Sequence, residues 1–370
     1  MTAPGAPPPA TPPTTPAPAP AQLTRRRRWL NLLRLTLAVA ALVVLSRLVR
    51  ATDLARAAEM VARAGWPLAL VPVPTLVAMS LDAYGWRAIL ATLGHPMRWR
   101  HVLELRMSVE AIVLALPGGS VAGEAAKVAL LRRRSAIPLT AGAASLALTK
   151  LLLTAADAGY LLLIAIALMF TGWPAGALPV RLALGGAAFT GVASIALGLV
   201  LYRSRLAARL AALLARVPSR RLRRWVSGQG SRFEELDRAA SAFFEAPWAR
   251  RWSCFVPFML EWLVEGIETL IIVRCLGLPL GIGEVLALDG IGSLLRAVVV
   301  VVPAGLGIQD ATQVMLLAQF GISDPIASGT AFIFIKRTKE VFWIVIGLLF
   351  LAVRRDLWQR QRQSKSEEGR

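Results

Sequence analysis

Five lysines occur in a chain that otherwise draws its positive charge from arginine, and four of them, Lys127, Lys150, Lys336 and Lys339, stand in apolar surroundings. In or near the same apolar runs lie Asp82, Glu110, Glu124, Asp157, Glu261, Glu265, Glu268, Asp289, Arg296, Asp310, Arg337 and Glu340. An ionisable side chain costs a few kcal/mol or more at the centre of a bilayer, so such residues are kept for a reason. Glu261, Glu265 and Glu268 follow an i, i+4, i+7 spacing, which sets three carboxylates on one helix face, the last two deeper. Two readings stand: a polar pathway or partner for Lys150 and Lys336, and a structural ion-pair network. The chemistry on offer is recognition of charge. No P-loop, Gly-x-Ser-x-Gly elbow or Asp-x-Asp metal pair occurs in the sequence. His95 and His101 are the only histidines and have no metal-ligand spacing around them, so neither a metal nor a cofactor is expected.

The placement of these groups repeats. Pro117–Leu131 aligns with Pro303–Leu317 without a gap, matching Pro117 with Pro303, Gly119 with Gly305 and Glu124 with Asp310. At the same offset Lys150 falls on Lys336, and slightly upstream Leu93-Gly94 meets Leu276-Gly277. Proline removes a backbone donor and glycine weakens a helix interior, so the apolar runs 102–131 and 286–320 break at Pro117-Gly118-Gly119 and Pro303-Ala304-Gly305. Arms of about 12 to 17 residues reach only about 18–25 Å, which favours two re-entrant helical hairpins over pairs of short or tilted full spans. Backbone N–H groups following Gly119 and Gly305 would then point to mid-membrane and favour an anion. Glu124 and Asp310 fall in the first turn of each second arm, where they either complement the helix dipole or line a substrate site.

The elements that must hold these groups are transmembrane helices. Hydrophobic residues make up 56% of the 370, charged residues only 17%, and mean hydropathy is +0.59. Six segments are long enough to cross a bilayer: 29–49, 67–92, 139–170, 179–202, 253–276 and 325–353. The net charge of +20 sits in arginine clusters beside apolar runs, notably Arg25–Arg28, Arg132–Arg134, Arg203–Arg251 and Arg354–Arg355. This is the positive-inside pattern, which excludes a nucleic-acid partner and favours anionic lipid. Both termini are expected in the cytoplasm, and every loop agrees except the stretch Arg50–Gly65 with its three arginines. Residues 1–24 read as a disordered Pro-rich tail, 25–178 as a first membrane repeat, 179–355 as a second containing the basic loop 203–252, and 356–370 as a cytoplasmic tail. The segment Trp225–Trp248 reads as an amphipathic helix, interfacial or linking. No cleavable signal peptide is expected, since the first apolar run is long enough to stay as an anchor. The fold class expected is an all-α polytopic membrane protein, an inverted repeat of three transmembrane helices plus one re-entrant hairpin per half, as in secondary transporters.

At the two Pro-Gly hairpins the chain resembles the lysylphosphatidylglycerol synthase transmembrane-region (flippase-domain) family. The residues that carry the resemblance are Leu116–Lys127, Thr149-Lys150, Val302–Asp310 and Ile335–Glu340, and it covers about 29–355. Ile335–Trp343 looks most like the branch associated with hopanoid biosynthesis. The resemblance implies a bacterial inner-membrane protein that moves or presents polar lipids. Bifunctional relatives carry a soluble aminoacyl-transfer domain after the membrane part; here the chain stops at Arg370, so lysyl transfer is expected to be absent. Ala304 stands where the family more often has Gly, and Lys127 and Lys150 where Arg is usual, which trades a bidentate phosphate fork for a point charge.

The expected function is lipid translocation, of a hopanoid, isoprenoid-linked or phosphate-bearing lipid with an anionic headgroup. The candidate substrate-binding residues are Gly119, Glu124, Lys127, Lys150, Glu265, Glu268, Gly305, Asp310, Lys336 and Lys339. Two rivals remain: a membrane-embedded transferase on an isoprenoid lipid, which would need the stripe Glu261–Glu268 as its acid–base group, and a scaffold for lipid-biosynthesis enzymes. The topology makes a direct prediction. Gly176→Cys and Gly281→Cys should both react with a membrane-impermeant maleimide in intact cells; reaction only after permeabilisation would reverse the orientation.

Overall fold

A computed structural model of the chain describes residues 54–115, 119–135, 137–202, 230–298 and 308–367. The tail 1–24, the apolar run 29–49, residues 203–229 of the basic loop and both hairpin tips lie outside them. Among the described residues there are eleven α-helices and no strand. They are α1 (Leu54–Ala64), α2 (Pro72–Thr92), α3 (Trp99–Ala115), α4 (Gly119–Ser135), α5 (Leu139–Phe170) and α6 (Leu178–Tyr202). After the undescribed loop come α7 (Gly230–Glu245), α8 (Trp248–Cys275), α9 (Ile282–Val298), α10 (Ile308–Gln319) and α11 (Pro325–Glu367). A 3-10 turn, Trp66–Leu70, leads into α2.

Three of the expected spans return as helices long and apolar enough to cross a membrane: Trp66–Thr92, α5 and α6. Helices α8 and α11 are also long, at 28 and 43 residues, but Glu261, Glu265 and Glu268 interrupt one apolar run and Lys336–Glu340 the other. The amphipathic segment forms α7, which seats Ala240 and Phe243 against Leu148 and Leu151 of α5.

The side chains sort by solvent in the reverse of a water-soluble fold. Along α6, Phe189, Val192, Ile195 and Leu199 repeat every three or four residues on an outward face and are 48–67% exposed. Val341, Val345 and Leu348 of α11 do the same. Asp82, Glu268 and Asp289 are meanwhile 6%, 2% and 2% exposed. Charged residues are almost never fully buried in a soluble protein unless paired, and a large contiguous apolar surface needs a partner. Hydrocarbon satisfies both observations. The protein is a helical membrane protein.

Two antiparallel helix pairs fit the Pro-Gly breaks. In α3 and α4, Gly123 lies against Val109 and Val113. In α9 and α10, Gln313 donates from Nε2 to the Leu288 carbonyl at 3.1 Å and lies against Gly292. The feet of the first pair, Val102 and Leu131, share a cluster with Met97 and Ile137 at the start of α5. The feet of the second converge on Trp173, past the end of α5. Its indole donates to Glu284 Oε1 at 3.2 Å and packs edge-on against Phe320, with ring centroids 5.5 Å apart. Helix α5 therefore separates the two openings by its whole length. The loops 171–178 and 276–281 meet at one end of the bundle, where α1 also packs.

Helix α2 packs along α8, α3 against α11 and α9 against α5. Exchanging the halves, α2 for α8, α3 for α9 and α5 for α11, returns the same set of pairs. Close approach at these crossings rests on small residues, since lipid supplies no hydrophobic drive between helices. A Cβ at Gly347 of α11 would stand 2.8 Å from the backbone oxygen of Met107 in α3. Gly347→Ala should therefore lose about 1–3 kcal/mol to overpacking. In detergent its thermal midpoint, read by tryptophan fluorescence, should fall, while Gly185→Ala, which faces open space, should lose nothing.

Candidate functional site

The charges paired between helices gather in two clusters, and all but Lys150, whose side chain is 47% exposed, are buried or half-buried. In the second half, Asp289 on α9 accepts from three elements at once. Lys336 Nζ of α11 lies 3.0 Å from Oδ1, Thr269 Oγ1 of α8 donates to the same oxygen at 2.8 Å, and Tyr160 OH of α5 reaches Oδ2 at 3.4 Å. The Lys336 ammonium also lies 5.3 Å from the Phe332 ring centroid. Nearly one turn on, Lys339 Nζ bonds Glu268 Oε1 at 2.7 Å, and Thr75 of α2 donates to Glu268 Oε2 at 2.5 Å. Lys336, Asp289, Lys339 and Glu268 line a polar pocket with Glu265, Ser293 and Gln313. Its free volume of about 50 Å³ admits a few waters, each needing roughly 10–15 Å³.

Beside it runs a groove of different character. Leu68, Val73 and Leu76 on one side and Phe334, Phe342 and Trp343 on the other enclose about 560 Å³. That is within the range of small-ligand pockets, roughly 300–1,000 Å³. Lys339 lines both spaces.

In the first half, the guanidinium of Arg106 on α3 bridges Asp82 of α2 and Glu110 of its own helix. Glu124 Oε1 of α4 lies 2.7 Å from Lys150 Nζ and 3.6 Å from Lys127 Nζ. Lys127 stands 5.8 Å from the Trp86 ring centroid. Glu261 is 9% exposed, and its Oε2 is buried with no hydrogen-bond partner among the described residues.

The expected site residues therefore divide. Lys336, Lys339, Glu265 and Glu268 share the pocket, whereas Glu124, Lys127 and Lys150 form part of the other cluster, and Lys150 does not line the pocket of Lys336. The glutamate stripe does not serve Lys150 and Lys336 as a unit. Lys150 takes Glu124, Lys336 takes Asp289, and Glu268 takes Lys339. The reason is geometric: α8 is covered along its length by α2, so successive turns meet different neighbours. Glu124 is not in a first turn either. Helix α4 begins at Gly119, which leaves Glu124 in its second turn and no acidic residue in its first. Asp310 is the third residue of α10, but its side chain, like Gly305 and the hairpin tips, lies outside the described residues.

Sequence reading singles out neither Asp289 nor the Asp82–Arg106–Glu110 bridge as a site. A signal for them exists. The register that sets Leu93-Gly94 on Leu276-Gly277 also sets Asp82 on Glu265 and Arg106 on Asp289. Breaking one partner of a buried ion pair costs about 3–5 kcal/mol, whereas replacing both can be neutral. Lys336→Met should accordingly lower the thermal midpoint in detergent, and Lys336→Met with Asp289→Asn should recover most of the loss. Additive losses would mean that the pair is not energetically coupled.

A family model described as the lysylphosphatidylglycerol synthase TM region matches residues 31–353. No curated protein and no solved structure matches the chain. The matched span contains every residue of both ionic clusters, so the clusters belong to the part of the chain that the family shares. The family's description links this membrane region to lipid. On the fold and on this match, the chain belongs to the lysylphosphatidylglycerol synthase transmembrane-region family.

Proposed function

We propose that the protein translocates a polar lipid with a phosphate or other anionic headgroup across a bacterial inner membrane, without covalent chemistry, and with both termini in the cytoplasm. The observation that carries this reading is the double role of Lys339. One side of its position opens to a polar, charged pocket and the other to an apolar groove between α2 and α11. A lipid is amphipathic in the same sense. Its chain suits the groove, and its headgroup suits the lysine end.

The ion pair supplies a means of admission. Lys339 Nζ is held by one oxygen of Glu268. A lipid phosphate can take its place, because a lysine ammonium binds as a point charge with no fixed fork to satisfy. The feet of the two helix pairs lie at opposite ends of α5, and the pairs α2–α8, α3–α11 and α9–α5 map onto one another when the halves are exchanged. Both features support an inverted repeat, the architecture with which transporters expose a central site alternately to the two faces. Hopanoid-type lipids with polar heads are one candidate cargo.

The test uses purified protein in vesicles containing a trace of headgroup-labelled anionic lipid, with loss of label in the outer leaflet followed by a membrane-impermeant reductant. Lys336→Ala with Lys339→Ala should slow transbilayer movement at least about tenfold, which is about 1.4 kcal/mol. Lys365→Ala should match the parent. A well-expressed double variant moving lipid at the parental rate would end the assignment of these lysines to the headgroup.

A further inference from the structure

Neither the lipid pocket nor the ion pairs described so far give Glu261 a task. It lies on α8 one turn beyond Pro257, 9% exposed, and its Oε2 has no hydrogen-bond partner among the described residues. Asp82 of α2, Arg106 of α3, Lys127 of α4 and Glu265 of its own helix act on it electrostatically. Of the other elements packed on α8, α5 contributes Asp157, α9 contributes Asp289, and α11 contributes Lys336 and Lys339, the last three being engaged in the pairs above. The 3-10 turn Trp66–Leu70 has no ionisable residue.

The charges of the first cluster do not balance when all are ionised. Among the described residues its carboxylates are Asp82, Glu110, Glu124 and Glu261, and its cations are Arg106, Lys127 and Lys150, so four negative charges face three positive ones. Arg106 is already shared by two carboxylates and Glu124 by two lysines, which leaves Glu261 as the group in excess. An uncompensated charge at this depth is costly, and a buried carboxyl ordinarily answers by taking up a proton. One proton makes the count three against three.

We propose that Glu261 is a proton-binding site and that lipid movement through this protein is coupled to the proton gradient, an inference that rests on the translocation reading only for its second half. The step is a bare proton transfer to and from the carboxylate, with no redox partner. When Glu261 releases its proton, the new anion competes with Asp82 and Glu110 for Arg106. Arg106 stands on the first arm of the first hairpin, and its three carboxylate neighbours stand on α2, α3 and α8. Protonation thus decides whether that arm is drawn toward α8. Glu265, one turn along, lines the polar pocket, and beside it Asp157 is a second carboxyl with a buried, unpartnered oxygen, Oδ1. These carboxyls lay a route for the proton between the two clusters.

Infrared spectra of the purified protein in vesicles at neutral pH test the site itself. The carbonyl-stretch band of a protonated carboxyl should be present, and Glu261→Gln should diminish it. Asp82→Asn should diminish it as well, because three cations would then face three carboxylates and Glu261 would ionise; a purely structural glutamate would not respond to Asp82. A parental protein whose band is unchanged by both variants overturns the site. The lipid assay then tests the coupling. An imposed proton gradient should speed lipid movement by the parent several-fold, and Glu261→Gln should move lipid at one rate with or without it. Movement indifferent to the proton gradient, or driven by sodium instead, overturns the coupling and leaves translocation standing. No movement by the parent under any gradient refutes translocation, while the infrared result still decides the proton site.

Discussion

The constraint from which most of this structure follows is the cost of ionic charge in hydrocarbon. A lone ammonium or carboxylate at mid-membrane cannot be hydrated, so each must find an opposite charge that the fold delivers to it. Here the partners come from different helices. Arg106 ties α3 to α2, Lys150 ties α5 to α4, Lys336 ties α11 to α9, and Lys339 ties α11 to α8. Between helices surrounded by lipid, where apolar contact gives little net attraction, such bonds specify which helices must touch. Glu268, which interrupts the apolar run of α8, and Lys336 and Lys339, which interrupt that of α11, also fasten these helices into the bundle.

Charge pairing would be useless without close backbones, and the small residues supply them. Gly123 lets α4 lie on α3, Gly292 admits the Gln313 side chain between α9 and α10, and Gly347 brings α11 onto α3. The last contact matters to the site, because α11 carries Lys336 and Lys339 while α3 carries Arg106. One crossing therefore joins α3, which carries the arginine of the first cluster, to the helix that lines the second. A shift of α3 on its arginine has a direct mechanical neighbour in α11, with no intervening loop.

Much of this architecture is legible in the sequence, and the failures have physical causes. The apolar run 139–170 predicts a span, and α5 occupies Leu139–Phe170, since a long run bounded by Pro138 and the Thr171-Gly172 turn leaves little freedom. The breaks expected at Pro117-Gly118-Gly119 and Pro303-Ala304-Gly305 rest on proline and glycine, whose effects on the backbone are local, and they fall between α3 and α4 and between α9 and α10, largely outside the described residues. Pairing partners are a different matter. That Lys336 chooses Asp289 over the glutamate stripe depends on how α9 and α11 cross, and a helical wheel fixes the face of one helix without identifying its neighbour. The Pro-Gly-Gly signal places Glu124 a turn too early in α4, because helix boundaries move by a residue or two on small energies. Position in the repeat is the better guide, since the register pairing Arg106 with Asp289 joins the centres of the two clusters.

The choice of cation separates the parts of these clusters that hold the fold from those that can exchange partners. Arg106 uses two nitrogens on two carboxylates, and a guanidinium fork held on both sides cannot be surrendered without stranding two anions. Lys339 meets one oxygen of one carboxylate, and the other oxygen of Glu268 is already satisfied by Thr75. On the proposed reading, a phosphate that took that ammonium would leave Glu268 its hydroxyl donor and cost it a single contact. Lys336 is held more firmly, because Asp289 is also fixed by Thr269 and Tyr160, so the proposed function makes it the anchor of the pocket and Lys339 the exchangeable group. Of the five lysines in a chain that otherwise draws its positive charge from arginine, Lys339 is the one whose bond, on the proposed reading, must be both ionic and easily exchanged.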